Sequence, residues 1–150
     1  MIKLLYVPIL KCKQGEKDAL LNLNDEVKNQ IRPVLEITPD VYQKFNGTQD
    51  FWDKQFFYFD VSQEIRNDLS ENEFLKLINK CDMEYTIPVI YSYDEENLIA
   101  KLMDKSQNGL ALNLYLEEIL EDEFPEVIQD ILKLIEISDT DLIINVKDVC

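Results

Sequence analysis

The stretch YVPILKCKQGEKDALLNLNDEVKNQIRPVLEI, residues 6–37, contains one complete period of the pattern that organises the chain. It opens with an apolar run of strand length. A charged segment follows, in which Ala19, Leu20, Leu23, Val27 and Ile31 fall on one helical stripe, and a second apolar run closes it. Strand, helix, strand is the βαβ unit, in which the crossover returns the chain so that both strands point the same way.

Working outward, the period recurs. Apolar runs stand at KLLYVPIL (3–10), RPVLEI (32–37), FFYFDV (56–61), YTIPVIY (85–91), LALNLYL (110–116) and DLIINV (141–146). Each is rich in β-branched or aromatic residues, and several are apolar at consecutive positions, as strands buried on both faces require. Further helical stripes separate them: Phe74, Leu75, Leu77, Ile78 and Cys81; Leu98, Ile99, Leu102 and Met103; and Phe124, Val127, Ile128, Ile131, Leu134 and Ile135. Ser70 with Glu73 reads as a capping box, and Pro125 suits a first helical turn. These stripes are core packing. The expected fold is a single α/β domain over residues 1–150, with a mostly parallel sheet of about six strands and flanking helices. The segment TPDVYQKFNGTQDFWDKQ (38–55) is the least regular and is expected to hold a short helix or a functional loop.

Composition narrows the function. At 150 residues one domain is the default, and 46% apolar content fits a packed core rather than a disordered chain. No apolar stretch approaches the roughly 20 residues of a membrane span. MIKLLYVPIL contains Pro8 and lacks a small-residue cleavage site, so it reads as a first strand of a cytoplasmic protein and not as a signal peptide. Cys12, Cys81 and Cys150 are scattered and odd in number, which argues against a disulfide framework. The absence of histidine removes His-dependent triads and most zinc sites. With three glycines there is neither a GxGxxG nor a P-loop.

A net charge of −15 repels phosphates and argues against direct nucleic-acid binding. The charge is uneven: residues 107–150 carry only Lys133 and Lys147 against eleven acids. Within that end Glu117, Glu118, Glu121, Asp122 and Glu123 form a candidate face for a basic partner, beside the plainer reading of a solvated surface.

Parallel α/β folds bind ligands at the carboxyl ends of their strands. The runs place Lys11, Lys13 and Glu16 there, then Glu36, Asp60, the Tyr91–Ser92–Tyr93–Asp94 segment, Asn113, and Asn145 with Lys147. Glu36 and Asp60 are embedded in apolar sequence, where an unpaired charge is expensive, and Lys11 or Lys13 is the natural partner. Such a constellation suits an anion, a divalent metal or acid–base work, and equally a structural ion pair. No cofactor is identified from motifs.

The same residues carry a resemblance. Tyr6, Pro8, Lys11, Lys13, Gly15, Glu16, Ala19 and Leu20, followed by Pro33, Glu36 and Ile37, resemble the opening of the beta family proteins, the phage-type beta protein domain. Asp60 and IPVI at 87–90 fit its later strands. The resemblance implies a TIM-type (β/α) barrel, here truncated, because family members are about twice as long. It also implies a setting in phages and in bacterial mobile or defence loci. In the family pattern the fifth strand carries an arginine and the sixth an aspartate. Asn113 and Asn145 stand there, which implies that charges have been lost from any catalytic site.

An open parallel sheet leaves edges that call for a protein partner or a homo-oligomer. The leading expectation is therefore an interaction protein, in its specific form an acidic inhibitor of a nucleic-acid-processing protein. The alternative is a barrel-type enzyme acting on an anionic small molecule or phosphoester, with Lys11, Lys13, Glu36 and Asp60 as its catalytic residues. A split barrel completed by a second chain is the third reading.

Overall fold

A computed structural model describes residues 6–135 and 139–146. Six strands form one sheet in the order β1 to β6, every neighbouring pair parallel: β1 (Ile9–Lys11), β2 (Val34–Ile37), β3 (Phe57–Val61), β4 (Thr86–Tyr91), β5 (Leu110–Tyr115) and β6 (Thr140–Asn145). All six expected runs are strands. The helices are α1 (Gln14–Leu21), α2 (Asp25–Lys28), α3 (Pro39–Tyr42), α4 (Gln63–Arg66), α5 (Glu71–Ile78), α6 (Glu96–Lys105), α7 (Leu116–Ile119) and α8 (Phe124–Leu132). Sequential order with parallel pairing is the topology of a (β/α) barrel. Lys3, Lys147, Cys150 and the start of the first apolar run lie outside the described residues.

The sheet curls into a half-barrel. In a flat sheet β3 and β6 would lie about 14 Å apart, with side chains projecting side by side. Here the Tyr58 hydroxyl of β3 donates to Asp141 Oδ2 of β6 at 2.7 Å, across the concave face. Arg32 sits beside both, 3.4 Å from the Tyr58 oxygen and 3.6 Å from Asp141. Alternation of side chains divides the interior in two. Leu35, Ile37, Phe57, Phe59, Val61, Ile90, Leu110, Leu112 and Leu114 face the helices in the main core, while Val34, Tyr58, Ile87, Val89, Tyr91 and Ala111 fill the concave side.

One local expectation changes. The stripe from Ala19 to Ile31 is not one helix: α1 stops at Leu21, Asn24 accepts from the Val27 N–H to cap α2, and Ile31 bridges to Tyr6 beside the sheet. A side-chain acceptor at a helix start is what asparagine does best, so the polar Asn22–Asn24 stretch interrupts the apolar spacing. Residues 38–55 hold the expected short helix, α3, and then a plug, with Phe45, Thr48, Phe51 and Trp52 buried under the helices. Gly47 turns there at φ +90°, and Lys80 Nζ donates to the Phe45 carbonyl at 2.9 Å. The segment is a structural plug and contributes to the main core. The Ser70–Glu73 capping box is present, with both of its hydrogen bonds.

Candidate functional site

Strand register brings the polar residues together. Lys11 pairs with Glu36, and Glu36 with Asp60, so the three stand in one row across β1, β2 and β3. On the other side Tyr91 pairs with Asn113, and Tyr115 with Asn145. All seven line one cavity of about 350 Å³ at the carboxyl mouth of the half-barrel, completed by Ser62, Gln63 and Glu64. Lys13 is not among them. It lies past the end of β1, where strand alternation no longer sets its direction, and pairs with Asp40 on the surface at 3.2 Å.

Beneath the mouth lies Arg66, which the sequence reading missed. Its side chain is 1% exposed. Nε and Nη2 form a fork onto both oxygens of Asp94, at 2.8 and 2.7 Å. Nη2 also donates to the Val89 carbonyl at 2.8 Å, and Nη1 to Asp60 Oδ1 and the Val61 carbonyl at 3.3 Å. The guanidinium lies between the Phe74 and Tyr91 rings, 5.0 and 4.5 Å from their centroids. The reason is local. The β3–β4 ladder ends at Phe59 and Pro88, which leaves the Val61 and Val89 carbonyls beyond it. Arg66 supplies donors to the strand-end carbonyls beyond that point. One signal was available in the sequence: only two of the fifteen basic residues are arginines. Both pack on aromatic rings, as the planar guanidinium favours.

Asp60 is 3% exposed and its carboxyl is pushed up to about 7. Burial is the main cause; Arg66 and the Tyr91 hydroxyl, which donates to Asp60 Oδ2 at 2.8 Å, act against it, and Glu36 adds to it. Burial, then the neighbouring Asp60 charge, raises Tyr91 far above the ordinary phenol range. Tyr91 stacks between Tyr93 and Tyr115, with centroids at 5.3 and 6.0 Å. Asn113, 3% exposed, donates to the Tyr91 oxygen at 3.4 Å, while its Oδ1 is buried without a hydrogen-bond partner among the described residues. No group of three His, Cys, Asp or Glu suited to a metal ion occurs among the described residues.

A larger opening of about 630 Å³ lies at the amino-terminal end of the sheet, but its Arg32 and Asp141 are paired with each other. The acids of the negative end are not among the residues that line the mouth. Glu117, Glu121, Asp122 and Glu123 are exposed on α7 and the turn into α8, whereas Glu118 accepts from the Ser92 hydroxyl at 2.9 Å. Beside them Leu112, Leu114, Phe124, Ile128, Leu132, Ile135 and Leu142 line an apolar groove of about 270 Å³ between α8 and β6.

A family model described as Beta protein matches residues 6–150. The chain belongs to the Beta protein family. The resemblance read from residues 6–37 is thereby established over nearly the whole chain, and the Beta protein fold here is an unclosed (β/α) barrel. No curated protein and no solved structure matches it. None of the helices among the described residues is long and apolar enough to cross a membrane.

Proposed function

We propose that this Beta protein family member is an interaction protein that docks a basic, amphipathic segment of a protein partner on the α8–β6 face. One observation carries the reading: an apolar groove opens beside the most acidic part of the chain. Parallel sheets are ordinarily covered on both faces. On the helix-facing side of β6, however, Leu142 is 60% and Ile144 52% exposed. Glu121, Asp122 and Glu123 form the turn into Phe124 at one end of the groove. An amphipathic helix buries its apolar face in such a groove, while its lysines and arginines meet the acidic rim. A nucleic-acid-processing protein presents basic surfaces of this kind, so an acidic inhibitor in a phage or host-defence setting is the specific form of the proposal. Cys12 and Cys81 are buried free thiols, which supports a cytoplasmic setting.

The test is retention of a host partner on the immobilised chain, identified by mass spectrometry and followed against salt. Neutralising Glu117, Glu121, Asp122 and Glu123 to amides is expected to weaken binding and flatten its salt dependence, and Leu142→Asp is expected to abolish it. A partner bound equally well by both variants overturns the proposal.

A further inference from the structure

We propose that the mouth of the half-barrel is a second, separate site that binds a small organic cation, an amine or guanidinium whose N–H groups reach the orphan Oδ1 of Asn113 between Glu36, Asp60 and the tyrosine stack. Three observations meet there. The first is the unpartnered acceptor. A buried carbonyl oxygen left without a donor costs about 1–3 kcal/mol, so native structures rarely keep one without use. Asn113 lines the cavity, is almost completely buried, and lacks a donor at Oδ1 among the described residues.

The second is the sign of the lining. Glu36, Asp60 and Glu64 face the cavity against Lys11 alone, and Lys13 is held elsewhere by Asp40. Beneath the floor Arg66 is forked onto Asp94 and reaches Asp60 Oδ1 with Nη1, so the carboxylates turned to the cavity without an arginine are Glu36 and Glu64. That balance repels a phosphate and attracts a cation. It also argues against a bare metal ion, since no suitable ligand group is present among the described residues. The third is the aromatic wall. Tyr91 and Tyr115 line the cavity; Arg66 and Tyr93 already pack on the Tyr91 ring, so the ring that a cation would meet is Tyr115. A π-face next to carboxylates is a favourable place for an ammonium or guanidinium. The cavity volume of about 350 Å³ is at the small end of ligand sites.

Asp60 makes the binding proton-linked. Around it stand Glu36 from β2, Arg66 from α4, Tyr91 from β4 and, farther off, Tyr93 and Tyr115. Of these, Asp60 is the group raised to about 7. A cation favours its ionised form, so affinity is expected to rise by up to about tenfold per pH unit below that value and to level above it.

The probe is n-propylguanidinium, titrated into the isotopically labelled full chain and followed by the backbone amide resonances of the residues that line the mouth, together with the side-chain amide of Asn113 where it is present. Saturable shifts are expected, at least about tenfold tighter than with neutral n-propylurea and stronger at pH 8 than at pH 6. Glu36→Gln, at a partly exposed position that tolerates an amide, is expected to weaken binding about tenfold or more, as is Asn113→Leu. Equal binding of n-propylurea, undiminished binding by Glu36→Gln, or saturation by methyl phosphate in place of the guanidinium overturns the proposal. Because the groove on α8 and β6 shares none of these residues, loss of one site leaves the other intact.

Discussion

Replacing Arg66 with methionine tests the electrostatic centre of the fold. Methionine keeps much of the stem packed between Phe74 and Tyr91 and removes only the charge and its donors. Two carboxylates, each 4% exposed, then lose their counter-ion, and the carbonyls of Val61 and Val89 lose a donor. Breaking a buried pair by deleting one partner costs about 3–5 kcal/mol. At about 2–4 °C per kcal/mol for a chain of this size, the thermal midpoint falls by about 6–20 °C. The deficit also depends on pH. Asp60 binds its proton up to about pH 7 in the folded protein, whereas an unfolded aspartate releases it near 3.8. Native-state proton binding of this kind stabilises fully below the unfolded value, and the benefit is lost as pH rises through the folded one. Without Arg66 the Asp60 carboxyl holds its proton to higher pH still, so the Asp60 share of the deficit is small at pH 5 and grows toward pH 8. Urea titration read by Trp52, which is 2% exposed and is the one tryptophan, reports both quantities. A cost below about 1 kcal/mol at pH 8, or a deficit that shrinks as pH rises, refutes the role given to Arg66.

Asn113→Leu removes the orphan oxygen with little change of volume, and is expected to raise the thermal midpoint by about 2–4 °C while it weakens cation binding at the mouth about tenfold or more. Gly47→Ala and Gly109→Ala each force a side chain into the left-handed region, at φ +90° and +76°, and press a Cβ onto the carbonyls of Lys80 and Asp139. Each is expected to cost about 1–3 kcal/mol in a denaturant titration, with the slope unchanged. Burial pushes the thiols of Cys12 and Cys81 up to about 12. Both are expected to resist iodoacetamide at pH 8 in the native protein and to react in urea, as peptide mass spectrometry will show.

Much of this architecture was legible because parallel strands buried on both faces leave contiguous apolar runs. FFYFDV and YTIPVIY contain no alternation to misread, and both are central strands. The row of Lys11, Glu36 and Asp60 was legible in kind, since charged residues embedded in such runs need a common edge. Its membership was not, because Lys13 stands beyond the strand, where side-chain direction depends on how α1 begins. Arg66 was hidden for a different reason. Its partners come from other segments, and its position answers the point where the β3–β4 ladder ends, a relation visible only once β3 and β4 are side by side. The single stripe from Ala19 to Ile31 misled because apolar spacing continues through a break that Asn24 imposes by capping. Asn113 could be named as a strand-end residue from the sequence, but an unsatisfied oxygen is a property of its surroundings.

The Tyr58–Asp141 contact fixes the curvature of the sheet, and an uncompleted curve has a consequence for how copies of the chain meet. Among the described residues nothing pairs with the outer edge of β1 or of β6, and the two edges differ. Addition of one copy's β6 to another's β1 would be head-to-tail, an association that repeats at the next free edge and does not cancel as a twofold contact does. The half-barrel therefore has a direction of growth built into it. The surplus of carboxylates over basic groups on every copy opposes that growth, because like-charged copies repel.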